Sequence, residues 1–231
     1  MTTTIPISAE LIQLFNQAAE LARGGDLEGA LRTLERLLNP TEEDKQGPAR
    51  VSSGDFLGQA HMRKAWLLMD LGRHAEARTV FEDPFLKACL GQFSLNVLYD
   101  YFFSYANTLG NLGDVAGMDD AFTRAMNIAA DELGDAERLH VCWSNLLTWA
   151  EGARAWEYLD VETQTCLQFA ENVGDKALGM IAGLSRAMTL ARLDRKDEAR
   201  SIVQPLRDNA ERNDWHHLMD RIDDILRAIG D

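Results

Sequence analysis

The stretch Ala65-Trp66-Leu67-Leu68-Met69-Asp70-Leu71-Gly72-Arg73-His74-Ala75-Glu76-Ala77-Arg78-Thr79-Val80-Phe81 decides the fold. Apolar residues recur at helical spacing on both sides of a break at Gly72-Arg73, and the strict alternation of a strand is absent. With Gly72 as zero, Ala65 lies seven residues before the break and Leu68 four before it. Ala77 lies five after and Phe81 nine after. A small residue where two helices cross, with large ones flanking the crossing, is what an antiparallel helix pair requires.

The same unit recurs along the chain. Its breaks are Gly25-Asp26, Gly72-Arg73 and Gly113-Asp114, with weaker copies at Gly152-Ala153 and Asp194-Arg195. The steps from 25 to 72, 113, 152 and 194 are 47, 41, 39 and 42 residues, a period that signals stacked supersecondary units. Seven residues before each zero lie Ala18, Ala65, Ala106, Asn145 and Ala187; four before lie Leu21, Leu68, Leu109, Thr148 and Leu190. Five after lie Ala30, Ala77, Met118, Glu157 and Ala199; nine after lie Leu34, Phe81, Phe122, Val161 and Val203. On this alignment the fourth pair departs from the others at Asn145, Thr148 and Glu157.

The pattern predicts an all-α chain of about five antiparallel helix pairs forming one domain over 1–231. Ser8 reads as the first N-cap, and Gly134-Asp135 and Gly174-Asp175 as joints in which Gly ends one helix and Asp caps the next. Asp83-Pro84 reads as the end of the second pair, with the third starting near Phe93. Residues 1–7 read as a disordered leader and the polar run 40–54 as a mobile loop. From Trp215 to Ile229 one face carries Trp215, Leu218, Ile222, Ile225, Leu226 and Ile229 while the other is charged. The segment 214–231 is therefore expected to cap the array.

The bulk numbers exclude some functions. Apolar residues make up 46% of the chain, enough for a continuous core, and formal net charge is −14. Such acidity argues against nucleic acid and anionic membrane surfaces, which both need clustered Lys and Arg. The start, Met1-Thr2-Thr3-Thr4-Ile5-Pro6, has no signal-peptide pattern, and no apolar run reaches the roughly 18 residues of a membrane span. Cys89, Cys142 and Cys166 are too few and scattered for a disulfide framework or zinc site and suit reduced core residues in the cytoplasm. No phosphate loop, nucleophile elbow or His-Glu-x-x-His motif occurs. His216 and His217 point about 100° apart on a helix and cannot share a metal with Asp220. Catalysis and cofactors are therefore not expected.

The unit resembles the tetratricopeptide repeat (TPR), with its small residue in the first helix, Gly-Asp turn, Ala in the second helix and aromatic four residues later. At about 40 residues per pair it is similar to the long-helix variety of kinesin light chains, bacterial peptide-binding quorum-sensing regulators and sensor domains of large bacterial activators. Phrases such as Ala125-Met126-Asn127-Ile128-Ala129-Ala130 and Cys166-Leu167-Gln168-Phe169-Ala170 carry that likeness. The resemblance implies a right-handed superhelical α-solenoid whose first helices line a concave groove. In the family, groove residues sit 13, 10, 6, 3 and 2 positions before the turn. Carried over, this implies a partner-binding groove that includes Phe15, Met62, Trp66, Met69, Phe103, Asn107, Leu146, Trp149, Leu184 and Met188.

That lining suits an apolar helix or a hydrophobic peptide, because Met adapts and aromatics anchor. Two alternatives stand beside it. The cap, the 40–54 loop or a second copy of the chain in a homodimer covers the face, or a slip in register turns these residues into core. The functional expectation is a cytoplasmic scaffold or adaptor with a protein or peptide partner, and not an enzyme. The alternative is a peptide-sensing regulatory domain or a chaperone for a secreted protein.

Overall fold

A computed structural model describes residues 8–39 and 53–230, with side chains described from Phe56 onward in the second segment. The expected leader at 1–7 and most of the expected loop lie outside these residues. The loop's last two residues, Ser53 and Gly54, already belong to a helix.

Among the described residues the structure is all-helical. The pairs are α1 (Ala9–Arg23) with α2 (Leu27–Leu38), α3 (Ser53–Asp70) with α4 (His74–Phe81), α6 (Leu95–Asn111) with α7 (Val115–Asn127), α8 (Ala136–Gly152) with α9 (Trp156–Val173), and α10 (Lys176–Arg192) with α11 (Lys196–Arg212). The capping helix is α12 (Met219–Ile229). It is shorter than its apolar stripe, because Asp214 takes a left-handed conformation and His216–Leu218 forms a single 3₁₀ turn.

The caps follow the sequence. Ser8 accepts a hydrogen bond from the Leu11 amide at 3.3 Å and Asp26 from the Gly29 amide at 2.8 Å. Asp135 and Asp175 accept from the Arg138 and Leu178 amides at 3.1 and 3.0 Å, satisfying amides left unpaired at helix starts. One helix was not foreseen. Asp83-Pro84 starts α5 (Pro84–Cys89) instead of only ending α4: the Asp83 carboxylate accepts from the Phe85 amide at 2.7 Å, and Pro84 occupies the first helical position, where its missing N–H costs nothing. Leu86, Cys89 and Phe93 bury this insertion against the N-terminal core.

The turns correct the register of the fourth pair. Gly25, Gly72, Gly113, Arg154 and Asp194 have positive φ, and each amide donates to the carbonyl three residues back. The next residues, Asp26, Arg73, Asp114, Ala155 and Arg195, donate to Leu21, Leu68, Leu109, Ala150 and Leu190 at 2.7–3.0 Å. This is one Schellman turn repeated five times. In the fourth pair its left-handed residue is Arg154, two beyond Gly152. With zero at 154, the steps from 25 to 72, 113, 154 and 194 become 47, 41, 41 and 40.

The apparent degeneracy then disappears. Leu147, Ala150, Leu159 and Thr163 take the places given to Asn145, Thr148, Glu157 and Val161, and all four are buried. Thr148, Glu157 and Val161 are exposed instead. At five residues after zero, Ala30, Ala77, Met118, Leu159 and Ala199 are each 0% exposed.

A left-handed Arg costs about 1–2 kcal/mol, whereas Gly there loses only about 0.4–1 kcal/mol through the freer unfolded chain. Arg154→Gly is therefore expected to stabilise the protein by about 0.5–1 kcal/mol in urea denaturation. Asp194→Gly should gain less, because Asp tolerates this region better. Destabilisation by Arg154→Gly would contradict the turn assignment.

Packing builds the array by neighbours. Each second helix lies against its own first helix and the next one: α2 on α3, α4 on α6, α7 on α8 and α9 on α10. The first helices also pack in a row, α3 with α6, α6 with α8 and α8 with α10. α12 closes the stack against α10 and α11 through Ile222, Ile225 and Ile229.

Candidate functional site

The row of first helices presents the positions that the sequence places in the groove. In the corrected register the partly exposed apolar side chains on this row include Ile12 and Phe15 on α1, Trp66 and Met69 on α3, Phe103 on α6 and Ile181 and Met188 on α10. On α8 the same positions hold Val141, Ser144, Thr148 and Glu151. This corrects the apolar positions expected there from Leu146 and Trp149, since beyond Val141 the fourth helix carries polar groups.

Three of the expected groove residues are core. Met62, Leu146 and Leu184 are 1%, 0% and 0% exposed and belong to the hydrophobic clusters between helices. Leu146 moves inward because of the two-residue shift. Met62 and Leu184 lie ten residues before the turn like the partly exposed Phe15 and Phe103, but neighbouring side chains of their own clusters close over them.

Trp149 and Asn107 form a unit between repeats. The Trp149 indole N–H donates to Asn107 Oδ1 at 2.8 Å, and the Asn107 amide donates to the Phe103 carbonyl at 2.8 Å. The indole lies on Gly110, where an added Cβ would come within 2.5 Å of it. Trp149 thus fills the gap between α6 and α8 and is not a free groove wall. Trp66 makes a related tie, its indole N–H donating to Ser104 Oγ at 2.9 Å. In the next gap Arg221 of the cap spans Glu151 at 2.6 Å and Ser185 at 2.9 Å.

The chemistry-bearing residues do not converge on the row. Cys142 and Cys166 are fully buried, and burial pushes their thiols up to about 11 and about 12, away from thiolate reactivity. His140 Nδ1 lies 2.7 Å from Asp175 Oδ2, a pair that sequence reading missed because Asp175 reads simply as a cap. Burial pulls the Asp175 carboxyl up, but the Leu178 amide and His140 outweigh it and hold the group below its ordinary range. No hydroxyl or thiol is hydrogen-bonded to His140 among the described residues, so the pair ties α8 to the start of α10. His216 and His217 are exposed. Among the described residues no group of three potential ligands is placed to hold a metal ion, and no helix is long and apolar enough to cross a membrane.

The tetratricopeptide repeat model matches residues 58–83, the unit around Gly72. No curated protein matches the chain in sequence. Among solved structures, a candidate kinesin light chain from Podosopora anserina with nearly identical TPR-like repeats superposes with a TM-score of 0.63 at 12% identity, over 87% of this chain and 95% of that one. A single-substitution variant of it gives the same score and identity over 88% and 96%. At that identity the likeness concerns the fold. Solenoids of this kind offer extended surfaces to other proteins, which supports an interaction scaffold in general terms.

Proposed function

We propose that this TPR-like solenoid, which carries a tetratricopeptide repeat at 58–83, is a cytoplasmic, non-catalytic scaffold that holds a partner's amphipathic helix or hydrophobic peptide on its row of first helices. One observation carries the reading. A single register places Ile12, Phe15, Trp66, Met69 and Phe103 on one face of three successive first helices, each partly exposed. Soluble proteins keep apolar side chains in such a line where another chain covers them. The polar positions of α8 then set the end of the apolar track, so the partner lies mainly across α1, α3 and α6.

The test uses the full chain as bait. Met69→Glu and Ile12→Glu are expected to weaken a stoichiometric partner roughly tenfold or more, as loss of a central apolar contact does. Val161→Glu, on the opposite side and 59% exposed, should leave it unchanged. Loss of the partner with Val161→Glu alone would move the site to the second helices. A peptide-sensing or chaperone role uses the same row and is distinguished by thermal stabilisation with a short peptide, as RT ln(1 + [L]/Kd). Concentration-dependent sedimentation that Met69→Glu abolishes would instead make the occupant a second copy of this chain.

A further inference from the structure

The turn of the fourth pair borders a hollow at the edge of the array. Glu151 near the end of α8, Arg154 in the turn, Trp156 at the start of α9 and Arg192 at the end of α10 line a cavity of about 290 Å³. That volume lies at the low end of sites that take small organic molecules. The cavity sits at the turn ends of α8 and α10, beyond the apolar track across α1, α3 and α6. It therefore stands without the partner-binding reading of that track.

Its lining is positive on a chain of formal net charge −14. The one acid there, Glu151, is already bridged by Arg221 at 2.6 Å. Among the described residues Arg154 and Arg192 have no carboxylate partner, unlike Arg195, which holds Asp160 and Glu198 at 2.7 Å each. Two exposed guanidiniums thus share one hollow without a counter-charge, and each offers a planar fork of N–H donors that matches phosphate oxygens. Trp156 is half-buried: it packs on the cluster of Leu159 and Cys166 and also lines the cavity. A flat indole beside cations is a surface on which a planar ring stacks. The backbone adds an independent sign. Arg154 holds φ 56°, a conformation that is free for glycine and strained for Arg, and that Gly25, Gly72 and Gly113 take in three of the other turns. Strain of this kind collects where a side chain is put to use. The cap residue of α9 is Ala155, which offers no side-chain acceptor, whereas Asp26 and Asp114 cap α2 and α7. An anion beside Arg154 would meet the positive end of that helix.

We propose that this cavity binds a nucleoside monophosphate, its base stacked on Trp156 and its phosphate held between Arg154 and Arg192. The probe is adenosine 5′-monophosphate, titrated into the ¹⁵N-labelled full chain. The indole cross-peak that Trp156→Phe removes identifies Trp156 among the five tryptophans. That peak should move most, and saturably. Adenosine, which lacks the phosphate, and ribose 5-phosphate, which lacks the base, should each bind roughly tenfold or more weaker. Arg154→Gly and Arg192→Gln should each weaken the nucleotide roughly tenfold. Arg154→Gly also relieves the strained turn, so its urea midpoint should rise while its affinity falls, a combination that loss of structure cannot produce.

A Trp156 peak that stays in place at millimolar nucleotide, or an affinity unchanged by either arginine substitution, overturns the proposal. Adenosine or inorganic phosphate binding as tightly as the nucleotide would also overturn it, by reducing the cavity to a stacking surface or an unspecific anion patch. Tighter binding of N-acetyl-phosphotyrosine amide than of the nucleotide would assign the cavity to a phosphorylated protein and overturn the nucleotide assignment.

Discussion

Phe81→Ala is expected to lower the free energy of unfolding by about 3–5 kcal/mol. Phe81 is fully buried nine residues after its turn, its ring 5.5 Å from both Tyr101 and Tyr105. Its carbonyl accepts the Tyr101 hydroxyl at 2.7 Å, so the helix that carries Phe81 is also tied to α6. Removing the ring leaves a cavity between the second and third pairs, and close-packed surroundings recover only part of the loss. Urea denaturation read by circular dichroism measures the change. Because contacts in an array run between neighbours, hydrogen exchange should quicken most in α3, α4 and α6 and least in α12. A loss under about 1 kcal/mol would mean that this position is not core.

The second large effect separates the two registers of the fourth pair. Leu159→Ala is expected to cost about 2–5 kcal/mol, while Glu157→Ala stays within about 0.5 kcal/mol. Leu159 is 0% exposed in the cluster that also holds Leu147 and Cys166, and Glu157 is exposed. With the turn at Gly152 the costs would be reversed, since residue 157 would then occupy the crossing that Ala30, Ala77 and Ala199 occupy elsewhere.

The fold was legible because its determinants are local. Helical spacing, Asp caps and Gly stops are read within a few residues of one another, and they place α1, α2, α6, α10 and α11 closely. The fourth turn was misread because glycine is the usual left-handed residue, and Gly152 stands two residues from the Arg that takes that conformation. The evidence against Gly152 was in the flanks: Leu147, Ala150 and Leu159 repeat the core pattern only when zero moves to 154. The α5 insertion was hidden by reading Asp-Pro solely as a terminator, although an Asp cap followed by Pro also starts helices.

The candidate site was legible only in part. Spacing identifies which face a residue joins, and so it located the first-helix row. It does not tell how neighbouring helices fill the space between them. That is why Met62 and Leu184 proved to be core and why Trp149 proved to be a plug.

The central claim is that five pairs share one register, with Arg154 as the fourth turn. Nuclear Overhauser spectroscopy of the Trp149 indole tests it most directly. The account predicts cross-peaks from the indole protons to the Gly110 Cα protons and from the indole N–H to the Asn107 side chain, with slow exchange of that N–H. An indole without these contacts, exchanging as fast as free tryptophan, would place Trp149 on the open face and contradict the shared register.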